Sequence, residues 1–394
     1  MSPHAASGPE ATDPSALTPL QIGVSTMAMI GVTAVAGLPT LLTAYAGQEG
    51  WISALIAVPA GLVPLVLLYD LDRRQPGLTL VQHARRALGP IGGLLLSLPL
   101  LMLLSSTTPL GAHQQADIVG MEALRRTPTV VVVGLFLLVP LYAARQGREV
   151  LARLTTLSVA VAIGALLLIG ATSLRSVRGE NLQPVFALGW VPLLQGAAPA
   201  AAWYAETAVL GLLLPFRATE RRAAWAAAAA GLVIVGLQVS LVTAWDLSIF
   251  GPLADQMVFA LFQVTRVSNL AEFLTHMDSI LIIAWVAGEM ARMGLWLYCL
   301  CLAFSQWLGL RDYRPLTLPV AAAVAIGACT WFQNASQFNA WVMRVWPFWG
   351  LALGIGSPLL VWLAVVLRGT GAGRRQARPA AGSARAACAG PGRT

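Results

Sequence analysis

Three ionisable side chains stand inside apolar segments that are long enough to cross a membrane. Glu206 lies in one such segment, and Glu289 and Arg292 lie three residues apart in another. A charged side chain at the centre of a bilayer costs about 2.5–3.5 kcal/mol on insertion scales, so such residues default to paired or functional positions. Glu289 and Arg292 can pair along one helix face, or Arg292 can face a ligand, and both interpretations stay open.

No catalytic pattern accompanies these charges in the sequence. There is no hydrolase elbow, no phosphate-binding loop preceded by a strand, and no pair of catalytic carboxylates. The cysteines Cys299, Cys301, Cys329 and Cys388 lack the spacing of metal ligands, which favours buried small side chains over a zinc or redox site. We therefore expect no enzyme activity, no bound metal and no cofactor.

The composition is that of a membrane protein. Of the 394 residues, 57% are hydrophobic and only 11% are charged, whereas a soluble chain has about 25% charged residues. The net charge is +8, and all 25 basic residues are arginines. They lie mainly in short connections and in the C-terminal tail, a distribution that indicates membrane orientation and not nucleic-acid binding.

Apolar stretches recur along the chain and predict an all-α integral membrane protein of ten transmembrane helices. A helix rises about 1.5 Å per residue, so about 20 residues cross the hydrocarbon core of a bilayer. The predicted spans are 20–45, 51–69, 91–112, 128–144, 154–174, 191–215, 224–247, 273–304, 316–333 and 345–367.

The arginines orient these spans. Eighteen fall on alternate connections and the C-terminal tail, and six fall on the opposite set. Because arginine is enriched on the cytoplasmic side, we expect both termini to be cytoplasmic. Residues 1–17 and 369–394 are predicted to be disordered tails around a membrane domain at 18–368. The basic C-terminal tail can contact anionic membrane lipid, although retention of positive charge inside the cell explains it as well.

Two of the predicted spans carry helix-breaking residues near their middle. The first contains Gly31, Gly37 and Pro39, and the sixth contains Gly196 and Pro199. Glycine and proline disfavour a helix interior, by about 1 and 3 kcal/mol respectively. Small residues also allow close helix packing, which is the alternative explanation. Matching interruptions in two halves favour a five-plus-five inverted repeat with helices 1 and 6 interrupted around a binding site.

One connection predicts a short amphipathic helix. Within residues 79–89, Leu80, Ala84 and Leu88 share one helix face, and Arg85 and Arg86 lie on the other. Such a segment is typical of a helix at the cytoplasmic surface of the membrane.

Several sequence motifs, taken in order, resemble one known family. They are Leu-Thr-Pro-Leu-Gln-Ile at 17–22, Ala-Gly-Gln-Glu-Gly-Trp-Ile-Ser at 46–53, Arg-Thr-Pro at 126–128, Leu-Leu-Leu-Pro-Phe at 212–216, Asp-Ser-Ile-Leu at 278–281 and Gly-Leu-Arg-Asp-Tyr-Arg-Pro at 309–315. From about residue 17 to residue 368, the chain resembles the spore germination permease family of the amino acid–polyamine–organocation superfamily.

The resemblance implies a fold like that of sodium-coupled amino-acid transporters, with a pocket among spans one, three, six and eight. Carried over to this chain, the pocket residues are Gly31, Thr33 and Gly37 of span one, Leu103 and Thr107 of span three, Trp203 and Glu206 of span six, and Arg292 and Trp296 of span eight.

The resemblance also implies a role and two partners. Members of the family recognise a small nutrient, often an amino acid, as the B subunit of a germinant receptor in the inner membrane of a dormant spore. They work beside an A-type membrane subunit and a C-type lipoprotein subunit. A second function stays open, namely a stand-alone secondary transporter that couples an amino acid to H⁺ or Na⁺, because both functions use the same kind of pocket.

Overall fold

The computed structural model describes residues 17–187, 189–213, 220–257, 259–267 and 277–368. Within these ranges the regular structure is helical and includes no strand. The α-helices are α1 (Pro19–Ala46), α2 (Gly50–Ile56), α3 (Val58–Arg74), α4 (Leu80–Glu122), α5 (Thr129–Gln146), α6 (Arg148–Ser173), α7 (Trp190–Tyr204), α8 (Leu210–Leu213), α9 (Arg221–Phe250), α10 (Ala260–Val267), α11 (Met277–Leu308), α12 (Thr317–Thr330), α13 (Ala335–Arg344) and α14 (Trp346–Leu367).

Two of the long helices begin at the same side-chain pattern. Thr18 accepts a hydrogen bond from the backbone N–H of Gln21, and the Gln21 side chain accepts one from the Thr18 N–H. Thr79 and Gln82 repeat this reciprocal arrangement at the start of α4. Each capping box satisfies two N–H groups that would otherwise lack a partner at a helix start, so these sequences fix where α1 and α4 begin.

Seven helical stretches of the described residues are long and apolar enough to cross a membrane. They are Pro19–Arg74, Leu80–Glu122, Thr129–Gln146, Arg148–Ser176, Arg221–Gln256, Ser279–Leu308 and Trp346–Leu367. The chain is therefore a multi-pass helical membrane protein.

Three of the ten predicted spans do not stand as separate long helices. The span predicted at 51–69 belongs to the stretch Pro19–Arg74, where the chain reverses after α1. A Cβ on Gly50 would lie 2.9 Å from the carbonyl carbon of Leu42, although eight residues of continuous helix advance about 12 Å. The spans predicted at 191–215 and 316–333 form the broken pair α7 and α8 and the short helix α12.

The predicted interruption of the first span is wrong, because α1 is helical from Pro19 to Ala46. Pro39 removes one backbone N–H, and each glycine lowers the helix preference by only about 1 kcal/mol. Packing of α1 against α6, α7, α9 and α11 outweighs these terms. The sixth span is interrupted, but not at the predicted breakers: Gly196 and Pro199 lie inside α7, and the helix gives way to a 3₁₀ segment only at Ala205–Val209.

The predicted amphipathic helix forms the first part of α4 and ends at Gly89, whose φ of 74° and ψ of −173° break the helix. Its apolar side is buried at Leu80 and Ala84. The Thr79 hydroxyl donates to the side-chain carbonyl of Gln306 over 2.6 Å, which ties this segment to the end of α11. The helix is therefore packed into the bundle instead of lying on a lipid surface.

The predicted tails, apart from Leu17, lie outside the described residues, and so does part of the Leu-Leu-Leu-Pro-Phe motif.

Candidate functional site

The three ionisable residues singled out in the apolar segments, Glu206, Glu289 and Arg292, meet at one place between α11 and the 3₁₀ segment Ala205–Val209. Arg292 Nη1 lies 3.6 Å from Glu289 Oε2, and Arg292 Nη2 lies 3.7 Å from Glu206 Oε2. Each of these side chains is at most 1% exposed. The pairing of Glu289 with Arg292 along one helix is present, but a second carboxylate shares the same guanidinium at a similar distance.

Backbone and aromatic groups hold the guanidinium of Arg292. Its Nε donates a hydrogen bond of 2.9 Å to the carbonyl oxygen of Met29 on α1. The indole N–H of Trp296 donates to the same oxygen over 3.3 Å, and the guanidinium carbon lies 5.1 Å from the centre of that ring. This distance is within the range of a cation–π interaction. Trp296 therefore supports Arg292 from one side, while α1 fixes its Nε.

The two carboxylates, Glu289 and Glu206, differ in their hydrogen-bond partners. The hydroxyl of Thr33 on α1 donates to Glu289 Oε1 over 2.7 Å. Neither oxygen of Glu206 has a hydrogen-bond partner among the described residues. A buried polar atom without a partner costs about 1–3 kcal/mol, and more when it is charged. Glu206 is thus the group in this cluster that most lacks a partner.

A small cavity lies beside the cluster. Its polar wall consists of Thr33, Thr107, Gln114, Glu206 and Arg292. Four aromatic side chains also line the cavity, namely Trp203, Phe338, Trp341 and Trp346.

Several buried polar atoms around this cavity have no hydrogen-bond partner within the described part of the chain. They are Thr107 Oγ1, Arg292 Nη1 and Trp346 Nε1, in addition to both oxygens of Glu206. Native proteins leave few buried polar atoms unsatisfied, and each one calls for an explanation. A polar molecule in the cavity would satisfy several of them at once, and a pocket with a few convergent polar groups is typical of small-molecule sites.

A second, larger cavity lies towards the C-terminal end of α1. Gly37 and Thr40 of α1 line it together with Asp255 and Asn339. Gln114, Trp203, Phe338 and Val342 line both cavities. Trp203 also packs edge-on against Trp346, with ring centres 5.5 Å apart. These shared side chains separate the larger cavity from the charged cluster.

Most of the residues predicted for the pocket come together. Thr33, Thr107, Trp203, Glu206 and Arg292 line the smaller cavity. Trp296 lies against Arg292, and Gly37 lines the larger cavity.

The structure does not bring Gly31 and Leu103 to this site. A Cβ on Gly31 would meet Val235 of α9 at 3.1 Å. Gly31 lies two residues before Thr33, and residues two apart in a helix point to different faces. Gly31 lines a separate, mainly apolar cavity together with Gln238 of α9. Leu103 is part of the hydrophobic core, one helical turn before Thr107.

Some residues of the site were not predicted from the sequence. Gln114 and the aromatic wall at Phe338, Trp341 and Trp346 line the cavity, but they were not singled out. A glutamine in the apolar helix α4 was a usable signal, since polar side chains in a span usually face protein or a cavity. Within the described residues, no group of three or more His, Cys, Asp or Glu side chains is arranged to hold a metal ion.

The sequence matches known proteins over most of its length. The family described as "Spore germination protein" matches residues 17–338. Spore germination protein KB of Bacillus subtilis (strain 168) is 24% identical over 331 residues, which are 82% of this chain and 87% of that protein. Spore germination protein YndE of the same organism is 22% identical over 293 residues, or 72% of this chain and 79% of the relative.

The fold matches solved membrane transporters. A Na⁺-coupled sialic acid symporter in a substrate-bound outward-open state has a TM-score of 0.63 at 12% identity, over 90% of this chain and 89% of the other. A nucleobase-cation-symport-1 family transporter in a closed conformation has a TM-score of 0.57 at 15% identity, over 83% and 74% of the two chains. At these identities the likeness concerns the fold alone.

Proposed function

The chain belongs to the spore germination protein family, and on that premise we propose that it is the ligand-binding membrane subunit of a nutrient-germinant receptor. The observation that carries this proposal is the cavity whose buried polar atoms on Thr107, Glu206, Arg292 and Trp346 lack partners. A small nutrient, with an amino acid as the expected class, would satisfy them. Its binding would shift a conformational equilibrium that an A-type membrane subunit and a C-type lipoprotein subunit read out.

The proposed membrane domain has ten crossings in two halves of five. The arginine distribution supports this arrangement, because eighteen arginines fall on one set of connections and six on the other. In this orientation both termini are cytoplasmic, and the larger cavity at the C-terminal end of α1 faces outward. A nutrient would then enter from outside and pass Gln114, Trp203, Phe338 and Val342 to reach Arg292 and Glu206. We propose the inner membrane of the spore as the location.

The alternative function is a stand-alone secondary transporter that moves an amino acid with H⁺ or Na⁺. The fold shared with solved transporters is compatible with it, and a helix that breaks after α7 beside the cavity suits both functions.

Deleting the gene and measuring uptake would separate the two functions. We expect spores that lack this chain to stop germinating on one nutrient while they still respond to a trigger that bypasses nutrient receptors. Proteoliposomes of the purified chain should then show no accumulation of that nutrient under a H⁺ or Na⁺ gradient. Gradient-driven accumulation together with normal germination would contradict the receptor function. Genes for A-type and C-type subunits beside this one would support it.

Cysteine labelling tests the proposed orientation. Arg86 and Arg125 are exposed and lie on opposite sets of connections. In a background without the native cysteines, we expect Arg86→Cys to resist a membrane-impermeant maleimide in sealed right-side-out vesicles and Arg125→Cys to react. Detergent should make both sites react equally. Reaction of Arg86→Cys in sealed vesicles would contradict cytoplasmic termini.

Substitution of Gly37 tests the path between the two cavities. A Cβ on Gly37 would lie 2.9 Å from Gln114 Nε2, so valine there would push Gln114 into the boundary between the cavities. We expect Gly37→Val to raise the nutrient concentration for half-maximal germination about tenfold or more, which corresponds to about 1.4 kcal/mol. The protein level should be retained, because the end of a glutamine side chain can move.

Gly31→Val is the matched control for this substitution. It adds the same side chain to the same helix, but against Val235 of α9 at 3.1 Å. We expect its effect to fall on protein level and not on the nutrient concentration required. Equal shifts in the dose-response for both variants would mean that the path past Gln114 is not the route of the ligand.

A further inference from the structure

Ionisation of both carboxyl groups would leave the charges around the smaller cavity unbalanced. Glu289 and Glu206 flank one guanidinium, that of Arg292, so the ionised cluster carries one negative charge in excess. No other charged side chain among the described residues lines this cavity. An uncompensated buried charge is strongly unfavourable. The cluster therefore favours a molecule that brings a positive charge.

The excess negative charge belongs to Glu206. Glu289 is tied to Thr33 by a hydrogen bond of 2.7 Å and precedes Arg292 on the same helix face at a spacing of three residues. It does not line the cavity. Glu206 lines the cavity, and both of its oxygens lack a hydrogen-bond partner within the described ranges. Glu289 thus balances Arg292, and Glu206 faces the ligand.

The remaining walls suit an ammonium group. Trp203 and Trp346 line the same cavity and meet edge to face at 5.5 Å, and aromatic rings attract cations through their faces. The free Thr107 Oγ1 can accept a hydrogen bond. An ammonium group has three N–H donors, which matches the two oxygens of Glu206 and the hydroxyl of Thr107.

We propose that Glu206 determines specificity by binding the ammonium group of the ligand, so that the site selects amines, including amines without a carboxylate. The inference deepens the proposed function and rests on it, because it names the chemical class that the germinant site accepts. The requirement is for the positive charge, and the carboxylate of an amino acid adds affinity without being necessary.

A panel of matched compounds tests the proposal on the unchanged chain. The purified full-length protein in lipid nanodiscs is titrated with each of the twenty amino acids, and ligand binding is measured as a shift in melting temperature. For every amino acid that binds, its amide and its N-acetyl derivative are then titrated in the same way. We expect the amide, which keeps the ammonium group, to bind within about tenfold of the parent. The N-acetyl derivative should bind about 100-fold or more weakly, as when a buried charge pair loses one partner.

Substitution of Glu206 localises the effect. Glu206→Gln keeps the shape and removes the charge, and we expect amine binding to fall about 100-fold or more. Glu49→Gln is the control, because Glu49 is also buried, accepts a hydrogen bond from the Ala187 N–H and does not line the cavity. It should leave amine binding unchanged. The compound panel decides the question even if Glu206→Gln does not fold.

Three results would overturn the proposal. The first two are N-acetyl derivatives that bind as tightly as the parent amino acids, and amine binding that survives Glu206→Gln. The third is stabilisation of the protein by NaCl but by no amine, which would make Glu206 part of an inorganic cation site. Binding on the purified chain is independent of germination. Amine binding without a germination defect in spores lacking the gene would therefore count against the receptor function and leave the ammonium site standing.

Discussion

Replacing Arg292 with glutamine is expected to lower the free energy of unfolding by about 3–5 kcal/mol, because it leaves two buried carboxylates without a cation. The guanidinium lies 3.6 Å from Glu289 and 3.7 Å from Glu206, and its Nε bonds to the Met29 carbonyl oxygen over 2.9 Å. We also expect that, in the protein that still folds, the nutrient concentration for half-maximal germination rises about tenfold or more. A loss of about 1.4 kcal/mol in binding corresponds to a factor of ten.

A double variant separates charge from shape. Adding Glu289→Gln to Arg292→Gln removes one of the two stranded carboxylates, so the double variant should melt at a higher temperature than Arg292→Gln alone. Thermal unfolding of the purified chain measures both. Arg153→Gln is the control, because Arg153 pairs with Glu149 on an exposed part of α6, with 73% of the Arg153 side chain accessible. Its effect should stay within about 0.5 kcal/mol.

Two outcomes would contradict this account of Arg292. A double variant that melts no higher than Arg292→Gln would mean that the unpaired carboxylates are not the cause of the instability. If the folded fraction of Arg292→Gln germinates at unchanged nutrient concentrations, Arg292 is structural and has no part in selecting the ligand.

Replacing Gly61 with valine is the second large effect that we expect. A Cβ on Gly61 would lie 2.7 Å from both the carbonyl oxygen and the Cβ of Tyr204, the last residue of α7. The Thr207 hydroxyl donates to the Gly61 carbonyl oxygen over 2.7 Å. Gly61 therefore lets α3 approach the 3₁₀ segment Ala205–Val209 closely, and that contact fixes the position of Glu206.

Valine at this position should displace the 3₁₀ segment that follows Tyr204, because the clash includes the backbone carbonyl oxygen of Tyr204, which cannot rotate away as a side chain can. We expect a loss of about 1–3 kcal/mol in stability, or more, together with loss of the nutrient response. Thr207→Val should do less, since it removes the hydrogen bond without a clash. Melting temperature and dose-response measure both variants.

Gly164→Val is the control for Gly61→Val. Gly164 lies on α6 with nothing within 4 Å of its Cβ position, so valine there should leave stability within about 0.5 kcal/mol and the response unchanged. If Gly61→Val behaves like Gly164→Val, the close contact between α3 and the 3₁₀ segment does not position Glu206.

The sequence by itself determined the class of this protein and its family. Low charge and long apolar stretches require a membrane environment, and the order of motifs from 17–22 to 309–315 identified the family that the comparison confirms. It also indicated an interruption in the sixth span, although the 3₁₀ segment lies at Ala205–Val209 and not at Gly196 and Pro199, and its capping boxes fix where α1 and α4 begin. These features depend on residues close together in the chain, where helix geometry converts spacing directly into position.

Tertiary structure alone decided how the site is assembled. The bond between Thr33 and Glu289 joins residues 256 positions apart, and the approach of Glu206 to Arg292 depends on how α11 packs against α8, which follows the 3₁₀ segment. The same packing keeps α1 helical through Gly31, Gly37 and Pro39 and turns Gly31 towards α9. Local preferences of about 1–3 kcal/mol per residue are smaller than the summed packing of a central helix, so no reading of the first span on its own could predict its conformation.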